Sequence, residues 1–198
     1  MSLVVTNNNM NKHIDLIVGC GILKKEIDWL INKNNWLLNT VYLDSSLHID
    51  LEKLKMSLTT ALKKHPNQNT LVFYGACHPL IDDLLGEVGM LRTEGQNCVD
   101  ILLGNNVFTK ELSNGAFFLL EDWALRWKHI CKKTFGDKKE IVQQIFGEDR
   151  KYVLAIKTPC SGDFTKEAEL MAQHVGLPLN WLSVGLDNLE TVLNSSIN

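Results

Sequence analysis

Short apolar runs, each stopped by a turn and most followed by an amphipathic stretch, recur along this chain. They fall at residues 13–18, 36–43, 70–74, 116–120, 152–156 and 179–184, the run at 116–120 reading as a strand or a helix entry. Strands that are followed by helices do not pair through tight hairpins. The alternation therefore predicts parallel strands joined by right-handed crossovers, with helices on both faces of the sheet. We expect an α/β, three-layer Rossmann-like domain with a mostly parallel sheet. The strands ending at Val18, Tyr74 and Ile156 should be neighbours or near neighbours in it.

The connecting stretches carry helical periodicity. Ile22, Ile27, Leu30 and Ile31 fall at roughly helical spacing, with Lys24, Lys25 and Asp28 on the wet face. Leu51, Leu54, Leu58, Ala61 and Leu62 repeat in the same way behind Asp50, a good N-cap. Pro79 stands where a helix would take its first residue. After Gly86 the pattern weakens to short pieces, a helix near 99–103 and then a Gly-Asn-Asn turn. Further helices are expected over 121–133, 138–146, 164–175 and 186–193.

With 198 residues, the chain accommodates one domain over 13–198 behind a flexible, polar, Asn-rich stretch at 1–12. That stretch lacks the apolar centre of a secretion signal, and no run approaches a transmembrane length. A net charge of −3 offers no global field for nucleic acid or membrane, so neither is expected as a partner. The expected location is cytoplasmic. Thiols stay reduced there, and five cysteines make an odd number for a disulfide framework.

Three of these cysteines carry the chemistry. Cys20, in Val18-Gly19-Cys20-Gly21, and Cys77, in Tyr74-Gly75-Ala76-Cys77-His78, stand where a strand stops and a helix begins. Cys98 follows Gly95-Gln96-Asn97, with Asn97 a plausible N-cap. Unpaired N–H groups and the helix dipole favour a thiolate at such places. In an open α/β sheet these turns gather on one edge, where ligands bind. Three thiolates would hold zinc or an iron–sulfur cluster and leave one position open to a substrate. Gly19, Gly21 and Gly75 are cofactor-binding candidates. His78 is a candidate ligand or proton carrier, Glu121 an acid or base, and Arg92 an anchor for a substrate carboxylate or phosphate. Cys131 shares a helix face with Trp127 and Phe135, which reads as core. Cys160, in Thr158-Pro159-Cys160-Ser161-Gly162, is either a fourth ligand or a bystander.

The three cysteine motifs, with Leu103-Gly104, Gly115-Ala116-Phe117-Phe118-Leu119, Trp123 and Val184-Gly185-Leu186-Asp187-Asn188-Leu189, resemble a domain-of-unknown-function family of bacterial and archaeal proteins. Members often accompany corrinoid-dependent methyl-transfer systems. The resemblance spans about residues 13–193 and implies a three-cysteine site at Cys20, Cys77 and Cys98. The Thr158-Pro159-Cys160 turn departs from the Asp-Thr-Gly-like turn of similar proteins. The resulting expectation is a metal-binding enzyme of small-molecule metabolism, a transferase or lyase in one-carbon or methyl transfer. Two alternatives stand beside it. One is a metal-free enzyme with Cys77 as nucleophile and His78 or Glu121 as base. The other is a metal or cofactor carrier that serves a corrinoid protein or methyltransferase.

Overall fold

Strand β1 (Leu16–Cys20) is buried along its whole length, as its unbroken apolar run requires of a strand covered on both faces. It is the middle strand of a three-stranded parallel sheet. Leu16 stands opposite Asn39 of β2 (Asn39–Leu43) on one side and opposite Thr70 of β3 (Thr70–Phe73) on the other. A second parallel sheet repeats the arrangement, with β5 (Tyr152–Lys157) between β4 (Ala116–Leu119) and β6 (Leu179–Ser183). The computed structural model describes residues 13–66, 68–77, 80–87, 90, 92–136 and 138–197, with the His48 side chain left aside. The expected flexible stretch at 1–12 and the expected helix start at Pro79 lie outside the described residues.

The fold is α/β and Rossmann-like, with helices flanking two all-parallel sheets. It differs from the single sheet that the alternation suggested. The strands that lead to Val18 and Tyr74 are neighbours, but the strand ending near Ile156 belongs to the other sheet. The physical reason lies after β3. There the chain makes one isolated parallel bridge, Val72 to Arg92, instead of a further strand. Three helices follow, α3 (Ile81–Glu87), α4 (Cys98–Leu103) and α5 (Asn105–Ser113), before β4 opens a new ladder with β5. Helix α5 stands where a Gly-Asn-Asn turn was expected. Gly104 takes the whole turn at φ +78, so Asn105 is free to begin a helix.

Elsewhere the local signals act as written. Helix α1 (Lys24–Asn34) ends at Asn35, which adopts the left-handed conformation at φ 52. Helix α2 (Leu51–Lys63) is capped by the Asp50 carboxylate, which accepts from the Lys53 N–H at 3.2 Å. Helices α6 (Glu121–Phe135), α7 (Lys139–Asp149) and α8 (Thr165–Val175) cover the second sheet, and α9 (Asp187–Ile197) closes the order.

The core has two parts. One, around Trp127, Val142, Phe146, Phe164 and Met171, belongs to the second sheet. The larger one is built on β1, β3 and α4 and also takes in Leu120, Ile156 and Leu189, Leu193 and Ile197 of α9. Helix α9 thus returns to the first half of the chain. Asn188 Nδ2 donates to the Ile101 carbonyl at 2.8 Å, and Glu190 accepts from Lys33 and Asn34 at 2.8 Å each. This packing brings the carboxyl ends of β1 and β3 beside β4.

Candidate thiol site

Strand β1 ends on Cys20 and β3 ends one residue before Tyr74, so both deliver their last residues to the same edge of the sheet. Cys20 is followed by a single 3-10 turn, Gly21–Leu23, that leads into α1. Cys98 opens α4, where the Asn97 side chain accepts from the Val99 and Asp100 N–H groups at 2.9 and 3.0 Å. Two contacts lock the Cys98 loop against the Cys77 loop. The Ala76 N–H donates to the Gly95 carbonyl at 3.1 Å, and the Thr93 hydroxyl donates to the Tyr74 carbonyl at 3.0 Å. Gly75 makes this approach possible, because a Cβ there would lie 2.5 Å from the Asn97 Cα.

The three thiols are neighbours: Cys20 and Cys77 both lie close enough to Cys98 to shift its titration. These two neighbours and burial push the Cys98 thiol well above its usual range. The Cys98 thiol's hydrogen bond, opposed by burial and aided by backbone N–H groups, holds Cys77 down at about 7. Cys20 and Cys98 are 4% and 6% exposed, and Cys77 is half-buried. Among the described residues, no group of three or more His, Cys, Asp or Glu side chains is arranged to hold a metal ion; His78 lies outside those residues.

All three cysteines line one cavity of about 560 Å³, between the end of the first sheet and β4. Its other walls include Tyr74, Phe108, Phe118, Leu120 and Trp123. Tyr74 is 1% exposed, and its hydroxyl has no hydrogen-bond partner among the described residues. Burial, and then the charge that the neighbouring cysteines carry when ionised, raise its pKa strongly. Phe108 and Phe118 stack at 5.2 Å between ring centroids. Ser45, at the end of β2, is a junction. It donates to Asp122 at 2.5 Å, and accepts from Trp123 Nε1 at 3.1 Å and from Arg126. Arg126 also pairs with Asp44 and Asp122 at 2.8 Å each.

The remaining residues expected at the site fall around it. Arg92 makes a two-point pair with Asp82 at 2.6 and 3.1 Å, and its third nitrogen donates to the Thr93 and Gly95 carbonyls. It is not among the cavity's lining residues, but it braces the loop that carries Cys98. Glu121 is held by Lys25 at 2.8 Å and lines a separate cavity of about 170 Å³ with Glu26 and Ser161. Ile22 and Leu120 form walls of both cavities. Gly19, Gly21 and Gly75 line neither wall of the thiol cavity. A Cβ at Gly19 would strike Phe73 at 2.6 Å, and one at Gly21 would meet the Leu43 carbonyl at 3.0 Å, so they serve strand packing. Cys160 lies near Glu26, and burial raises its pKa. Cys131 is 3% exposed in the second core, with its sulfur 3.5 Å from His174 Nε2.

Sequence reasoning passed over Tyr74 and Ser45. The signal was there: each stands just past the end of a strand, where the cysteines drew attention. Two parallel sheets flanked by helices, with three cysteines around one cavity at the strand ends, define an α/β, Rossmann-like protein. The chain belongs to a family described as protein of unknown function (DUF1638), whose model matches residues 42–193. The match includes Cys77 and Cys98, while Cys20 lies before it. No curated protein and no solved structure matches the chain. Among the described residues, no helix is long and apolar enough to cross a membrane.

Proposed function

We propose that this protein is an enzyme of small-molecule metabolism whose Cys20, Cys77 and Cys98 thiolates hold a zinc ion or an iron–sulfur cluster with one position open to substrate. The observation that supports this reading is that Cys20, Cys77 and Cys98, from three separate loops, line one cavity. Three soft sulfur donors suit zinc or iron and disfavour magnesium, calcium or manganese. A carrier that hands its cargo to a partner would present its thiols; here two of the three are almost fully buried. When bound, such a centre supplies a Lewis-acidic position for a substrate thiol, amine or carbonyl. The chain's own residues do the rest. Arg92 fixes the loop that aims Cys98. The Tyr74 hydroxyl, unpartnered among the described residues, is the donor available to a substrate oxygen. Phe108, Phe118 and Leu120 limit water. Methyl transfer is a reaction class compatible with a metal-bound thiolate.

The test is elemental analysis and an optical spectrum of protein purified without oxygen. We expect zinc or iron near one centre per chain, most of it lost in Cys98→Ala and retained in Cys160→Ala. The Cys77 thiol held at about 7 favours a second reading, in which Cys77 is a nucleophile without metal. Metal-free protein in which Cys77 alone reacts fast with iodoacetamide at neutral pH would establish that reading in place of the first.

A further inference from the structure

The thiol cavity has an uneven distribution of charge. Among the described residues, its lining contains one cation, Arg150, and no carboxylate. The polar remainder near the thiols is neutral: Ser45, Tyr74, Gln96 and Asn97. Arg150 differs from Arg92 and Arg126, each of which is held by aspartates. No described carboxylate pairs with Arg150, whose backbone N–H closes α7 onto the Phe146 carbonyl.

Arg150 also stands at the far end of the cavity. It lies two residues before Tyr152, which is opposite Ala116 at the start of β4. The Lys151 N–H donates to the Gly115 carbonyl at 2.8 Å, which ties this end down. Leu120 and Trp123, at the other end of β4, border the thiol side with Ile22. From Ala116 to Leu120 is four residue steps, about 13 Å at strand rise. Between these ends the wall is Phe117, Phe118, Leu112 and Phe108. A cavity with a guanidinium at one end, an apolar middle and reactive sulfur at the other is complementary to one kind of molecule.

We infer that the site takes a small organic acid, with its carboxylate or phosphate on Arg150, an apolar body along β4 and its reacting end at the thiols. The assignment of the reacting end rests on the functional reading above; the binding of the acid does not. A planar guanidinium pairs two-point with either acid group, and such charge-assisted bonds are the strong ones.

The experiment is calorimetric titration of the purified protein with decanoate, decyl phosphate and decan-1-ol, with metal content measured on the same samples. The expected result is that at least one of the two acids binds tighter than the alcohol. Arg150→Gln should weaken that acid roughly tenfold or more, leave the alcohol unchanged, and be partly rescued by Arg150→Lys. The tighter of the two acids identifies the head group. Lys166→Gln, in the separate basic groove between α6 and α8, should change nothing and so places the acid at Arg150. Acids that bind no tighter than the alcohol, or that Arg150→Gln leaves untouched, overturn the inference. Protein that is metal-free when purified without oxygen, yet binds the acid as expected, refutes the metal reading and leaves this inference standing.

Discussion

Single residues decide whether the thiol-bearing loops approach one another at all. Gly75 is the sharpest case, since a Cβ there would lie 2.5 Å from backbone of the Cys98 loop, and backbone cannot step aside as a flexible side chain can. Gly75→Ala should cost about 1–3 kcal/mol in denaturant titration, in the range of overpacking, and should separate Cys77 from Cys98. An unchanged unfolding midpoint would mean that the two loops do not approach as described. Glu26 gives a pH signature. Burial, opposed by the hydrogen bond from the Thr158 hydroxyl at 2.7 Å, raises its pKa above the usual value of 4.5. The folded state therefore prefers the protonated acid, and the cost of a buried carboxylate grows as pH rises above 4.5. Glu26→Gln keeps an acceptor for Thr158 and should raise Tm at pH 7 more than at pH 4; equal Tm gains at both would refute this. At this scale the cysteines and Asn97 were legible, because strand ends and caps are local signals. The pairing of Glu26 with Thr158, 132 positions along the chain, was not.

Between elements, the junction at Ser45 joins the end of β2 to α6. Burial pushes the Asp44 carboxyl up, but the Ser46 N–H and the Arg126 guanidinium outweigh it and hold the group at about 2. An acid held below its usual 3.8 adds stability that is present above that pH and lost as pH falls through about 2. Because Asp44 is largely exposed, solvent screening keeps this contribution under about 1 kcal/mol. Asp44→Asn should therefore lower stability modestly at pH 7 and less at pH 2, as followed by acid unfolding. A deficit that persists undiminished at pH 2 would place the cause in packing instead of charge. The elements themselves were largely readable, since runs such as 152–156 and the Asp50 cap are local patterns. Helix α5 was missed because a Gly-Asn-Asn sequence marks a turn equally well, and only Gly104 at φ +78 turned out to be needed for it.

At the scale of the whole molecule, strand direction was legible and sheet membership was not. Among the described residues every strand pair is parallel, as the alternation requires, yet the six strands divide into two sheets. Nothing in a strand's own residues says which ladder it joins. That choice depends on the three helices between β3 and β4, where the periodicity is weakest. Helix α9 then ties the halves together. Leu193→Ala, at a fully buried position in the larger core, should cost about 2–5 kcal/mol, and a cost below 1 kcal/mol would show that α9 is peripheral. The return of α9 has a consequence in time. The half of the chain that carries Cys20, Cys77 and Cys98 cannot close its core until residues 187–197 have been made. During synthesis the three cysteines therefore emerge well before the residues of α9 that complete the core around them.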